Sequence, residues 1–204
     1  MRLLPCGDLA VLVELSGRAE RRRLDAALRA GPIPGILEHV PADRTVLVKV
    51  ARAGDLQPVV DALRGLELPG SAPTDAERGT VVIPVRYDGP DLAAAADLLG
   101  VGAQEVIARH TGALWRVEFS GFAPGFAYLT TDDVDLDVPR RDEARTRIPA
   151  GSVGLAGSYS GVYPSSSPGG WQLIGSTELA MWDPARGEPA LLTPGRTVRF
   201  EEVR

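Results

Sequence analysis

Two segments of this 204-residue chain restrict its C-terminal half to ordered, irregular backbone. They are Gly121–Leu129, GFAPGFAYL, and Pro149–Trp171, PAGSVGLAGSYSGVYPSSSPGGW. The first alternates aromatics with glycine and proline, and the second sets glycines and prolines between short apolar pieces. Neither reads as an ordinary core strand or helix, so both are expected to be loops with special dihedral angles. Ordered glycine-rich loops are also where a fold lets a ligand approach its main chain.

Composition narrows the partners. With 44 % hydrophobic and 24 % charged residues the chain can bury one good core or two small ones. A net charge of −5 gives no electrostatic footprint for nucleic acid or an anionic membrane surface. Cys6 has no second cysteine to pair with, and His39 and His110 alone offer no zinc-ligand spacing, so no metal site is expected. Lys49 is the only lysine, and no GxxxxGK[ST] sequence occurs. Any phosphate contact must therefore use arginine forks, hydroxyls or backbone N–H groups. The start MRLLPCGDLAVLVEL lacks the pattern of a secretory signal, and a cytoplasmic protein is the expectation.

Periodicity divides the chain. Leu9–Leu15 predicts a strand, Arg18–Ala30 a helix ended by GPIPG, Ile36–Val40 and Arg44–Val50 a hairpin, and Asp55 the cap of a helix running through Arg64. Thr80–Tyr87 then either completes a βαββαβ pattern or opens a second domain. Asp91 is expected to cap an alanine-rich helix, and Gly102–His110 is a further helical segment. From Leu114 onward the signal is all-β, with strands expected at Leu114–Phe119, Val153–Ala156, Trp171–Ile174, Leu179–Trp182 and Thr197–Phe200. Such short runs between Gly/Pro turns suggest a small closed or nearly closed barrel, with the GFAPGF and PGGW loops at strand ends. The boundaries expected are 1–79 for an α/β domain and 80–204 for the barrel, with the junction between 75 and 90.

The segments 3–15 (LLPCGDLAVLVEL), 85–92 (VRYDGPDL), 110–129, 138–177 and 189–200 (PALLTPGRTVRF) carry long specific motifs. Together they resemble the family that unites the B component of 5-oxoprolinase, the KipI kinase inhibitor and the first half of the carboxyltransferase region of allophanate hydrolase or urea carboxylase. The resemblance implies an α+β fold, a small ferredoxin-like α/β domain followed by a cyclophilin-like β-barrel. It implies a subunit of an ATP-dependent 5-oxoprolinase that cleaves 5-oxo-L-proline to L-glutamate. The partners implied are a second carboxyltransferase-type subunit, C-like, and a separate A-like hydrolase subunit. ATP is the implied cofactor, with Mg and a site shared with the partner as options. A KipI-like inhibitor of a sensor histidine kinase and a carboxyltransferase component of urea or allophanate metabolism are the alternatives. Ala144, Ser176 and Trp115 depart from residues common in the family, and Ser176 removes a charge near the expected site.

Lactam opening with ATP needs the amide oxygen activated, water delivered, and donors for phosphate and carboxylate. Arg140, Arg141, Arg145 and Arg147 are the cationic forks, and Arg145 and His110 are the expected catalytic residues. Gly121, Pro124 and Gly125 are expected to turn N–H groups outward, with Phe122, Phe126 and Tyr128 walling an apolar pocket or plugging the core. Arg140, Arg147, Pro149, Gly151, Ser152, Gly157, Tyr163, Pro168, Gly169, Gly170 and Trp171 complete the expected binding set for substrate or nucleotide. No GxSxG surrounds the serines, which are expected to hydrogen-bond rather than to attack.

Overall fold

The computed structural model describes residues 1–70 and 79–204. The chain divides into two compact units, Met1–Thr74 and Asp75–Arg204. The junction expected at 79/80 adjoins residues 71–78, which lie outside the described residues.

In the first unit, β1 (Arg2–Pro5), β2 (Ala10–Glu14), β3 (Ile36–Pro41) and β4 (Thr45–Val50) form an antiparallel sheet in the order β1-β2-β4-β3. Helices α1 (Arg18–Ala30) and α2 (Leu56–Arg64) accompany it. Alternation along β4 buries Val46, Val48 and Val50, which pack with Leu24 and Leu28, one turn apart on α1, and with Val59 and Leu63 of α2. Each such side chain, fully buried, contributes about 1.5–3 kcal/mol. The β2-β4-β3 core of this sheet has the ferredoxin-like strand order. Its remaining edge is supplied from the N-terminus by β1, not by the strand at Thr80. Asp55 stands at the α2 N-cap position without a side-chain capping bond, because a 3₁₀ turn at Ala53–Asp55 leads directly into the helix.

The second unit begins with β5 (Thr80–Val85), α3 (Leu92–Leu99) and α4 (Ala103–Gly112). The strands that follow are β6 (Trp115–Ser120), β7 (Ala127–Thr130), β8 (Arg145–Ile148), β9 (Ser152–Ala156), β10 (Tyr159–Val162), β11 (Ser167–Gly169), β12 (Gln172–Ser176) and β13 (Thr197–Glu202). Seven of the strands make one sheet in the order β12-β9-β10-β7-β6-β13-β5, in which β13 and β5 run parallel. Its two edges meet. Arg86 and Ser176 exchange N–H···O bonds of 2.8 Å, and Gly89 and Asp91 donate to Ile174 and Leu173. The sheet is thereby closed into a barrel, and Thr80 opens this unit. The segment Leu179–Trp182 is not a strand but makes one bridge, Trp182 to Ala190.

Alternation in these strands divides two cores. Ala127 and Leu129 of β7, Val153 and Leu155 of β9, and Ile174 of β12 join the main core with Trp115, Val198 and Phe200. Phe126, Ala156 and Leu173 belong to a separate cluster with Ile148, Tyr163 and Trp171. Ile148 comes from the two-stranded ribbon β8–β11, which brings the arginine segment onto this second face. The two glycine-rich segments thus contain β7, β10 and β11 in place of the loops expected there, and β9 at the strand expected over Val153–Ala156.

Candidate anion site beside the aromatic loop

The GFAPGF loop is built from two successive turns. Ala123 N–H donates to Gly121 C=O at 2.8 Å, closing a γ-turn whose central residue, Phe122, has φ 69°. Phe126 N–H donates to Ala123 C=O at 2.9 Å, closing a β-turn with Pro124 second and Gly125 third at φ 85°. Proline at the second position and a positive-φ glycine at the third are the pattern of a type II turn. Gly121 N–H donates to Phe126 C=O as well. The N–H groups of Gly121, Ala123 and Phe126 are therefore spent inside the loop, so Gly121 does not turn its N–H outward as expected. What the loop presents is the Phe122 ring, 58 % exposed.

Beneath that ring lies an aromatic cluster. Phe126 packs edge-to-face with Phe122, Tyr128, Tyr163 and Trp171 at centroid distances of 5.1 to 5.4 Å. Phe122 also lies edge-on to Tyr163, at 6.1 Å. Phe126 and Trp171 are buried, so they plug this face and leave Phe122 to meet a ligand. Glycines make room for the rings: a Cβ on Gly169 would lie 2.5 Å from the Tyr163 hydroxyl. Burial pushes the Tyr163 phenol up to about 12, against a main-chain hydrogen bond from Trp171 and the nearby charges of Arg140 and Arg145.

The charged centre is Asp91. Its side chain does not cap α3. Oδ1 accepts from Arg145 Nη2 at 2.7 Å and from Arg141 Nη1 at 2.8 Å, while Oδ2 accepts the Leu173 N–H at 2.7 Å. The carboxylate is 4 % exposed. Burial alone would raise its pKa, but the Arg145 and Leu173 hydrogen bonds and the two guanidinium charges outweigh burial and hold it below the ordinary carboxylate value. Arg141 N–H donates to Gly170 C=O, tying the arginine segment to the PGGW loop. Two cations share one anion. Arg141 Nε and Arg145 Nη1 are buried and find no hydrogen-bond partner among the described residues. An unmet buried donor costs about 1–3 kcal/mol, more for a charged group.

His110, the expected acid or base, lies in the core with no exposed surface. Its Nδ1 meets the Tyr87 hydroxyl at 2.7 Å, its Nε2 meets Ser160 Oγ at 2.8 Å, and its ring stacks on Phe200 at 4.1 Å. Burial lowers its pKa to about 3. Such an imidazole is neutral at neutral pH and has no surface open to a ligand, and these contacts tie it into the core.

The remaining expected residues separate. Arg140 is exposed near Tyr163, and Arg147 is exposed with Nε on Ser166 Oγ at 3.2 Å. Pro149, Gly151 and Ser152 form a turn whose main chain bonds Tyr163 and Thr177. Gly157 pairs with Val138 at the β9–β10 hairpin, with no part in the aromatic cluster. Pro168 is exposed on β11 beside Gly169 and Gly170. Ser176 donates from Oγ to Asp88 at 2.9 Å at the barrel seam, and Arg86 donates to the same carboxylate. Asp91 is the site residue that sequence reasoning misses, and Arg141 has no role of its own until the two are seen together. Nothing in local spacing joins them, since 50 residues separate the pair.

The model of the carboxyltransferase domain, subdomain C and D, matches residues 1–192. The B component of 5-oxoprolinase from Escherichia coli O157:H7 is 39 % identical over 203 residues, covering 95 % of this chain and 92 % of the relative. The solved structure of TTHA0988 is 37 % identical with a TM-score of 0.78. It covers 96 % of this chain, which spans only 40 % of that longer polypeptide. Urea amidolyase of K. lactis aligns with a TM-score of 0.75 at 19 % identity, over 98 % of this chain and 15 % of its own length, and shares the fold.

Proposed function

This chain belongs to the carboxyltransferase-domain family of subdomains C and D, and on that basis we propose that it is the B component of a 5-oxoprolinase. The reaction is the ATP-dependent opening of 5-oxo-L-proline to L-glutamate, with the chain inactive alone. The near full-length match to a curated protein of that name carries the reading. The site supports it. Phe122 offers an apolar face, and the Asp91–Arg141–Arg145 cluster offers excess positive charge, as a small anionic lactam requires. The chain's own work is to bind and orient substrate, since its one core imidazole is out of reach.

ATP supplies the phosphoryl group that activates the lactam oxygen. The guanidinium groups fit an anion, whether carboxylate or phosphate, while the N–H groups of Gly121, Ala123 and Phe126 in the aromatic turn are spent internally. The described residues hold no group of three or more His, Cys, Asp or Glu placed to take a metal ion. An ATP site in this reading is therefore completed by a partner, a C-like carboxyltransferase subunit, alongside a separate A-like hydrolase subunit. No helix among the described residues is long and apolar enough to cross a membrane.

The experiment is to co-express the chain with the proteins encoded beside it and to measure glutamate released from 5-oxoproline and ATP. Release that requires this chain supports the reading, and its absence from an assembled complex rejects it. Carboxyl transfer in urea or allophanate metabolism is the second reading, supported by the fold shared with urea amidolyase. Turnover of urea and not of 5-oxoproline would favour it, and kinase inhibition without turnover would favour the KipI-like alternative.

A further inference from the structure

We propose that Arg141 and Arg145, set by Asp91, form a receptor for one carboxylate, that of the lactam substrate, with Asp91 as the positioning residue. The inference rests on the 5-oxoprolinase reading for the identity of the ligand. Its geometry stands on its own.

Each guanidinium carries five N–H donors in a fixed plane, and each spends one on Asp91 Oδ1. Because both use the same oxygen, the two forks converge, while Oδ2 is held by the Leu173 N–H of β12. Asp91 is thus anchored to the barrel and orients both arginines from it. Arg141 Nε and Arg145 Nη1 are buried without a partner among the described residues, while the two side chains stay 35 % and 24 % exposed, so the pair keeps a solvent-facing edge from which to meet an incoming acceptor. Two cations against one anion leave a single excess positive charge. That matches one carboxylate better than the several charges of a polyphosphate. The charged centre is tied to the aromatic cluster through Tyr163, which feels the Arg145 charge, and through the Arg141 N–H bonded to Gly170 C=O beside Trp171. A small ring bearing one carboxylate satisfies both features. Arg–carboxylate recognition is the pairing for which such forks are pre-organised.

The test uses the full chain and ligand-observed NMR titration with three probes: 5-oxo-L-proline, 2-pyrrolidinone, which is the same ring without the carboxylate, and inorganic phosphate. The expected result is binding of 5-oxoproline, with 2-pyrrolidinone weaker by about tenfold or more, the equivalent of one charge-assisted hydrogen bond. Arg141→Gln and Arg145→Gln should each reduce that preference about tenfold. Asp91→Asn, which keeps the shape but loosens the forks, should reduce it too. A variant that merely loosened the fold would weaken both lactams equally and leave their ratio unchanged. The proposal is overturned if the wild-type chain fails to bind 5-oxoproline or binds the two lactams alike, if all three variants keep the wild-type ratio, or if phosphate binds and 5-oxoproline does not compete. A carboxylate preference that depends on these arginines, together with no glutamate release from the assembled complex, would reject the enzyme reading and leave the receptor standing.

Discussion

Arg145 Nη2 donates to Asp91 Oδ1 across 2.7 Å and 54 residues of sequence, joining the β8 ribbon to the start of α3. Arg141 reaches the same oxygen, so removing the carboxylate leaves two part-buried cations facing each other and the Leu173 N–H without its acceptor. Leaving a buried donor without its acceptor costs about 1–3 kcal/mol, while solvent screens the repulsion between the part-exposed guanidinium groups. Asp91→Ala is therefore expected to destabilise the chain by that order, read as a lower urea midpoint with an unchanged slope. Arg140→Ala, at an exposed position, should fall within about 0.5 kcal/mol of wild type.

Phe122 holds φ 69° in a γ-turn, a conformation that costs a bulky L-residue about 1–3 kcal/mol. Phe122→Gly relieves that cost and gives up the edge contacts with Phe126 and Tyr163, so the two changes offset. Thermal unfolding should show an unchanged Tm, while turnover by the assembled complex falls. A lower Tm with full turnover would make the ring a packing element.

Acid should destabilise the second unit through His110. Its pKa of about 3 in the fold lies below the ordinary value of 6.5, so the unfolded chain binds the extra proton between those values. Stability from this group is complete above about pH 6.5 and declines as the pH falls toward about 3. Asp91, also depressed, adds a loss at the acid end as pH falls below the ordinary carboxylate range. Urea titrations from about pH 7 to about pH 4 measure the slope, which His110→Gln is expected to flatten.

Gly151 adopts φ 80°, and a Cβ there would lie 2.1 Å from the Thr177 carbonyl oxygen, a backbone atom that cannot swing away. Gly151→Ala should destabilise by about 2 kcal/mol or more through backbone strain and overpacking. Gly157→Ala, at φ 53° with open space around it, bears the dihedral cost alone and should be milder. Paired chemical denaturation of the two variants checks the order.

The N-terminal elements other than β1 are legible because their alternation and helical spacing match what the sheet and helices bury. The barrel is harder for a physical reason. Gly161 looks like a loop residue, yet it sits in a strand: a Cβ there would lie 3.0 Å from the Trp171 ring and 3.1 Å from that of Phe126. At Gly175 the space is taken by the Arg86 carbonyl oxygen, 2.5 Å away, where the barrel closes. Rings and main chain from elsewhere in the fold thus demand glycine, and composition records only the glycine. The aromatic loop and the arginine segment can be picked out locally. Asp91 cannot, because its role is fixed by β12 and the ribbon. Position in sequence puts His110 beside the site, whereas Tyr87, Ser160 and Phe200 hold it in the core.

Glutamate release from 5-oxo-L-proline and ATP by the assembled complex, compared between the wild-type chain and Arg145→Gln, tests the central claim most directly. The expected result is release that requires this chain, with KM for 5-oxoproline raised about tenfold or more in the variant. Release that proceeds without the chain, or an assembled complex that leaves 5-oxoproline untouched, would contradict it.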